Sequence, residues 1–183
     1  MTDRPKAPPR GLLAVYTGDG KGKTTAALGL CIRAAGYNHK VAIIQFVKGS
    51  WHYGEMDGIK RLAPEVTIEA LGKGFVGIID DKLPREEHEQ AAKATLDEAA
   101  RIIGQNEHQI VILDEINVAL SLDLLKLDDV LSVLATRPEK MHVVCTGRGA
   151  PDGLLDIADL VTEMKEVKHP FQKGMMAQRG FDF

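Results

Sequence analysis

Two rhythms of apolar and polar positions alternate along the chain. Short apolar-rich runs occupy residues 11–16, 41–46, 66–71, 110–113, 141–145 and 160–164, and each predicts a strand. Val41-Ala42-Ile43-Ile44 is uninterrupted by charge, the signature of a parallel strand covered on both faces. Helical spacing lies between these runs. It predicts helices over residues 23–35, closed by Gly36, over 57–62, and over 127–136, stopping before Pro138, with a short one over 153–157. The longest helix starts after Pro84, with Arg85-Glu86-Glu87 in its first turn. On it Ala92, Leu96, Ala99 and Ile103 recur on one face, and Glu89/Lys93 and Asp97/Arg101 are expected as exposed i,i+4 partners. Strands alternating with helices specify an α/β protein: a mostly parallel sheet with helices on both faces.

Composition narrows the class. The chain has 183 residues, 44% hydrophobic and 27% charged, enough for one domain with a full core. Residues 1–10 hold three prolines and four charged residues and are expected as a flexible arm, leaving 11–183 as the single domain. The net charge of -3 gives no support for nucleic-acid binding. No apolar run is long enough to span a bilayer and no signal-peptide core follows Met1, so the expected compartment is the cytoplasm, without a membrane partner. Cys31 and Cys145 sit in apolar runs and read as small core residues. The six histidines show no metal-ligand spacing and read as structural or surface groups.

The organising stretch is Thr17-Gly18-Asp19-Gly20-Lys21-Gly22-Lys23-Thr24-Thr25, between the first strand and the first long helix. Convergence of backbone N–H groups on an oxyanion requires glycines, and the helix that follows points its positive end at the same anion. Lys23 is placed to meet the terminal phosphates and Thr24 to offer its hydroxyl to Mg²⁺. The general template G-x-x-x-x-G-K-[ST] asks for glycine where Thr17 stands, and Gly18 comes one residue late.

Ligands of such sheets bind at the carboxyl ends of the strands. Four of those ends carry suitable groups: the phosphate loop, the stretch from Gln45 to Glu55, Asp114-Glu115, and Arg148 between two glycines. A carboxylate ending an apolar strand, Asp114 here, is the usual second Mg²⁺ partner of a phosphate loop. The residues alone therefore specify a P-loop NTPase-like (RecA-like) fold that binds Mg-ATP. They leave open a kinase, an ATPase forming ADP, or another use of the nucleotide.

Several segments together resemble the P-loop type of ATP:corrinoid adenosyltransferases. They are the shortened loop Thr17 to Thr25, Gln45-Phe46-Val47-Lys48-Gly49-Ser50-Trp51, Gly54-Glu55, Leu113-Asp114-Glu115, Thr146-Gly147-Arg148-Gly149, and a tail containing Val167-Lys168-His169, Phe171, Gly174, Ala177-Gln178 and Gly180. The likeness runs from Gly11 to Phe183, and the displaced glycine is that family's own version of the loop.

The resemblance implies transfer of the 5′-deoxyadenosyl group of ATP to cobalt(I) of a corrinoid, with release of triphosphate. The corrinoid would be cobalamin, cobinamide or cobyrinic acid diamide. It also implies ATP lying in the reverse of the usual sense along the loop. Residues 18–25 and Lys23 would hold the triphosphate, Thr24 and Asp114 Mg²⁺, and Glu115 and Arg148 the ribose. Arg33 would lie near the nucleoside, with Trp51 and Phe75 toward the corrinoid. Where some members carry a second aromatic after Phe75, this chain has Gly77. A homodimer, a flavoprotein reductant and an adenosylcobalamin-dependent acceptor enzyme are further expectations. A nucleotide-gated corrinoid carrier is the alternative that would bind both ligands and form no cobalt–carbon bond.

Overall fold

The computed structural model describes residues 9–48, 52–74 and 83–183. Six strands form one sheet: β1 (Leu13–Thr17), β2 (Val41–Gln45), β3 (Val66–Ala70), β4 (Ile110–Asp114), β5 (His142–Thr146) and β6 (Leu160–Glu163). Their order is β3-β2-β4-β5-β1-β6 and every pairing is parallel. Neighbouring strands run in register, with Val15 beside Cys145 and Ile43 beside Ile112.

Successive residues of each strand feed opposite faces, and each face carries its own core. On one face Val15, Ile44, Leu113 and Cys145 pack under the long helix α3 (Arg85–Gln105) and under α4 (Ile116–Ser121), α5 (Leu127–Ala135) and α6 (Asp152–Ile157). On the other, Ala14, Ile43, Ile112 and Val144 pack under α1 (Lys23–Ala35) and Ile59 of α2 (Gly54–Lys60). Buried on both sides, β2 needs the apolar run Val41-Ala42-Ile43-Ile44 that precedes its last residue, Gln45. Cys31 and Cys145 are buried free thiols pushed up to about 12 by burial, so they serve as inert packing groups.

The structure departs from the sequence-based expectations in three places. On α3 the apolar face is buried as the spacing requires, but the salt bridges differ: Glu89 pairs with Arg85 and Arg101 with Glu98. The helix expected over 57–62 begins earlier, at Gly54, where Glu55 and Asp57 complement the helix dipole. Directly after Glu115 the chain forms α4, six residues that no spacing argument marks. Among the described residues no helix is long and apolar enough to cross a membrane.

Candidate active site

The phosphate loop links the end of β1 to α1, and backbone contacts shape it. Gly20 donates to the carbonyl of Met164, just beyond β6, at 2.6 Å, and Met164 donates to Thr17 at 2.8 Å. A Cβ on Gly20 would stand 2.6 Å from that same carbonyl oxygen, so only glycine admits the approach. Gly22, the residue before α1, has φ of 118°, a left-handed conformation that side chains resist. The Lys23 ammonium, 7% exposed, donates to the carbonyls of Gly18 at 2.6 Å and Gly20 at 2.7 Å. Those bonds curl the loop around the lysine at the amino end of α1, and desolvation lowers the Lys23 pKa.

The second cluster centres on Asp114 at the end of β4, fully buried. Its Oδ1 accepts from the hydroxyls of Thr24 at 2.8 Å and Thr146 at 2.7 Å. Its Oδ2 accepts from Gln45 Nε2 at 3.0 Å and lies 3.7 Å from Lys48 Nζ. The loop threonine and the strand-end carboxylate thus meet across β5, which runs between their two strands. The Thr24 hydroxyl and the Asp114 carboxylate are hard oxygen donors of the kind Mg²⁺ takes. Gln45, whose Nε2 binds Asp114, holds its own Oε1 buried without a hydrogen-bond partner. The donor set fits Mg²⁺.

Glu115 follows in a left-handed conformation, φ 64°, which turns its side chain away from Asp114's network and toward a cavity. Its backbone N–H donates to the Thr146 hydroxyl at 3.0 Å. A Cβ on Gly147, φ 127°, would sit 3.0 Å from Glu115 Oε2. Burial, then the charge of Asp114, raises the Glu115 carboxyl to about 7 against the opposing pull of Lys23, Lys48 and Arg148. Asn117 Nδ2 ties the turn down through the carbonyls of Tyr16, at 3.3 Å, and Gly147, at 3.1 Å.

A cavity of about 930 Å³ lies against the phosphate loop and Glu115. Lys21, Lys23, Thr24, Thr25, Glu115 and Arg148 all line it, as does the backbone of Gly20 and Gly22. Arg148 is exposed at its rim, where a planar cationic fork can reach a ligand. Gly18 contributes the carbonyl that holds Lys23, and Asp19 stands exposed beside the loop. Arg33 is not brought to this cavity: it occupies the last turn of α1, ten residues and so about 15 Å along the helix from Lys23, and is exposed. Trp51, Phe75 and Gly77 lie outside the described residues.

Several further lining residues have no role assigned from the sequence, although Lys48, Glu55 and His169 lie in stretches that it marks. Lys48, at the end of β2, pairs with Glu55 and places its ammonium 4.7 Å from the centroid of the Tyr53 ring. The tail returns across the mouth after a 3₁₀ turn (Pro170–Lys173) in which the Phe171 N–H donates to His169 Nδ1 at 3.3 Å. His169, Phe181, Asp182 and Phe183 then line the cavity, and Asp182 pairs with Lys21 of the loop at 2.8 Å. Only a spacing argument linking the loop to a segment some 160 residues later could have found that pair.

A protein-family model described as "ATP:corrinoid adenosyltransferase BtuR/CobO/CobP" matches residues 9–183. The corrinoid adenosyltransferase of Pseudomonas aeruginosa is 41% identical over 174 residues, 95% of this chain and 84% of that one. That of Escherichia coli K12 is 37% identical over 174 residues, 95% and 86% of the two chains. Among solved structures, the flagellar accessory protein FlaH from Methanocaldococcus jannaschii shares the fold, with a TM-score of 0.55 over 85% of this chain and 71% of that one, at 14% identity.

Proposed function

The chain belongs to the ATP:corrinoid adenosyltransferase family and is a transferase that adenosylates a corrinoid at the expense of ATP; we propose how its own residues carry that reaction. Cobalt(I) of the corrinoid attacks C5′ of the ribose, and the triphosphate leaves intact. The observation that carries this assignment is the opening of the phosphate loop, Glu115 and Arg148 onto a single cavity.

Lys23 and the loop N–H groups bind the triphosphate and stabilise the charge it gains on leaving. An oxyanion donor of this kind is typically worth ~3 kcal/mol. Thr24 and Asp114 would hold Mg²⁺, which supplies charge neutralisation to the polyphosphate when bound. Glu115 and Arg148 orient the ribose, the carboxylate accepting from its hydroxyls and the guanidinium donating. Orientation is the main requirement, because cobalt(I) is already a strong nucleophile and no proton has to be removed. Val118 and Leu122 give the cavity an apolar stretch of wall, with Phe181 and Phe183 of the tail at its edge. The reaction is assigned to the cytoplasm and to a homodimer supplied with electrons by a flavoprotein and serving an acceptor enzyme that uses the product. Light scattering of the purified protein tests the dimer.

The test of the reaction is anaerobic: protein, Mg-ATP and chemically reduced cob(I)alamin, with cobalt(I) absorbance followed and triphosphate assayed against ADP. Loss of cobalt(I) matched by triphosphate is expected. Lys23→Ala abolishes it while the melting curve persists. ADP as product, with cobalt(I) unchanged, would overturn the assignment.

A further inference from the structure

Lys48 is a lysine whose burial asks for a reason. It is 7% exposed and follows the carboxyl end of β2, yet it still borders the cavity. An ammonium carries three donors. One is spent on Glu55, while Asp114 Oδ2, at 3.7 Å, is beyond hydrogen-bond reach. The other oxygen of the same Asp114 carboxylate accepts the Thr24 hydroxyl at 2.8 Å. The ammonium of Lys48 is thus held one carboxylate away from the phosphate-loop threonine, with donors to spare. Burial works against its charge, but Asp114 and Glu55 more than offset this and keep it cationic.

The chemistry of the leaving group calls for such a cation. When the C5′–O bond breaks, its electron pair stays on the triphosphate oxygen. Cobalt supplies the pair of the new Co–C bond and passes formally from cobalt(I) to cobalt(III), and no proton moves. A whole triphosphate departs, carrying more charge along a longer chain than a transferred phosphoryl group. Lys23, folded into its own loop by two carbonyls, covers one part of that chain.

We propose that Lys48 is a second catalytic cation, released from Glu55 to contact the departing triphosphate. This rests on the adenosyl-transfer reading of the site and adds to it a residue just beyond β2, on the other side of Asp114 from the loop.

The experiment compares the wild type with Lys48→Met, Lys48→Arg, Glu55→Gln and the double variant Lys48→Met/Glu55→Gln. Single-turnover adenosylation of cob(I)alamin at saturating ATP is measured, with inhibition by inorganic tripolyphosphate and the melting temperature. Lys48→Met is expected to slow adenosylation on the order of 10²-fold and to weaken tripolyphosphate inhibition roughly tenfold. Lys48→Arg should recover part of both, and Glu55→Gln should retain both. The double variant removes the Lys48–Glu55 pair together and leaves no unpaired Glu55, and with its melting temperature near that of wild type it is expected to show the Lys48→Met defect. A double variant within about twofold of the wild type in rate and inhibition would overturn the proposal, since the lysine would then merely neutralise Glu55. A wild type that leaves cobalt(I) unchanged would instead overturn the family-based reading of the site.

Discussion

Replacing Glu115 with glutamine should make the protein more stable while disabling it. The carboxyl is raised from its ordinary 4.5 to about 7 by burial and by Asp114. That change corresponds to about 3 kcal/mol at ~1.4 kcal/mol for each tenfold step in the ionisation equilibrium. Because the folded value lies above the unfolded one, folding favours the protonated acid. Its contribution is fully present below pH 4.5 and is lost as pH rises through about 7. Above that window wild type carries a poorly solvated charge, whereas Glu115→Gln carries none. The variant should melt roughly 6–12 °C higher than wild type at pH 8.5, at ~2–4 °C per kcal/mol for a chain of this length. Near pH 4.5 the two should converge. The assay is thermal unfolding by circular dichroism in chelator, without nucleotide, from pH 4.5 to 8.5. Other titrating groups are common to both proteins, so the difference curve reports Glu115 alone. Parallel curves across the range would refute the argument.

Two other substitutions test the supports of that carboxylate. Gly147→Ala places a Cβ 3.0 Å from Glu115 Oε2 and from the Val118 N–H, at a φ of 127°. It should cost ~1–3 kcal/mol, read by chemical denaturation, and slow adenosylation by displacing Glu115. Asn117→Ala removes the donor to the carbonyls of Tyr16 and Gly147. It should cost ~1–3 kcal/mol and lower the melting temperature correspondingly.

The sheet, the loop and the first helix were legible because each rests on local rules. An unbroken apolar run must be covered on both faces, and a glycine-lysine-threonine turn between strand and helix has few other uses. Asp114 was legible for the same reason, being the first polar residue after four apolar ones. α4 was not, since six residues leave less than two turns of periodicity and its entry depends on Glu115 adopting φ of 64°. Lys48 and Thr146 were invisible as partners of Asp114 because their contacts cross the sheet, between residues 66 and 32 positions apart. The tail was hidden more deeply. Its last residues reach the loop only because the turn at residues 170–173 redirects the chain. Arg33, which the family resemblance puts near the nucleoside, stands in the last turn of α1 and does not line the cavity that the phosphate loop borders.

The placement of charge around the cavity argues for a reaction without a proton-transfer step. Lys21, Lys23, Lys48 and Arg148 gather on its walls, matched to a polyanion that leaves. Glu115 lines the same cavity as Arg148, and desolvation raises its carboxyl to about 7. A general base must have its proton within hydrogen-bond reach in the transition state, and displacement at C5′ by cobalt(I) offers none. The rate of the bond-forming step should therefore be nearly insensitive to heavy water. Single turnover of preformed enzyme, Mg-ATP and cob(I)alamin, run in H₂O and in D₂O at matched pL on the plateau above the Glu115 transition, should give a ratio close to ~1. A ratio above ~2 would require a proton in flight, and would make Glu115 an acid or base instead of a ribose ligand.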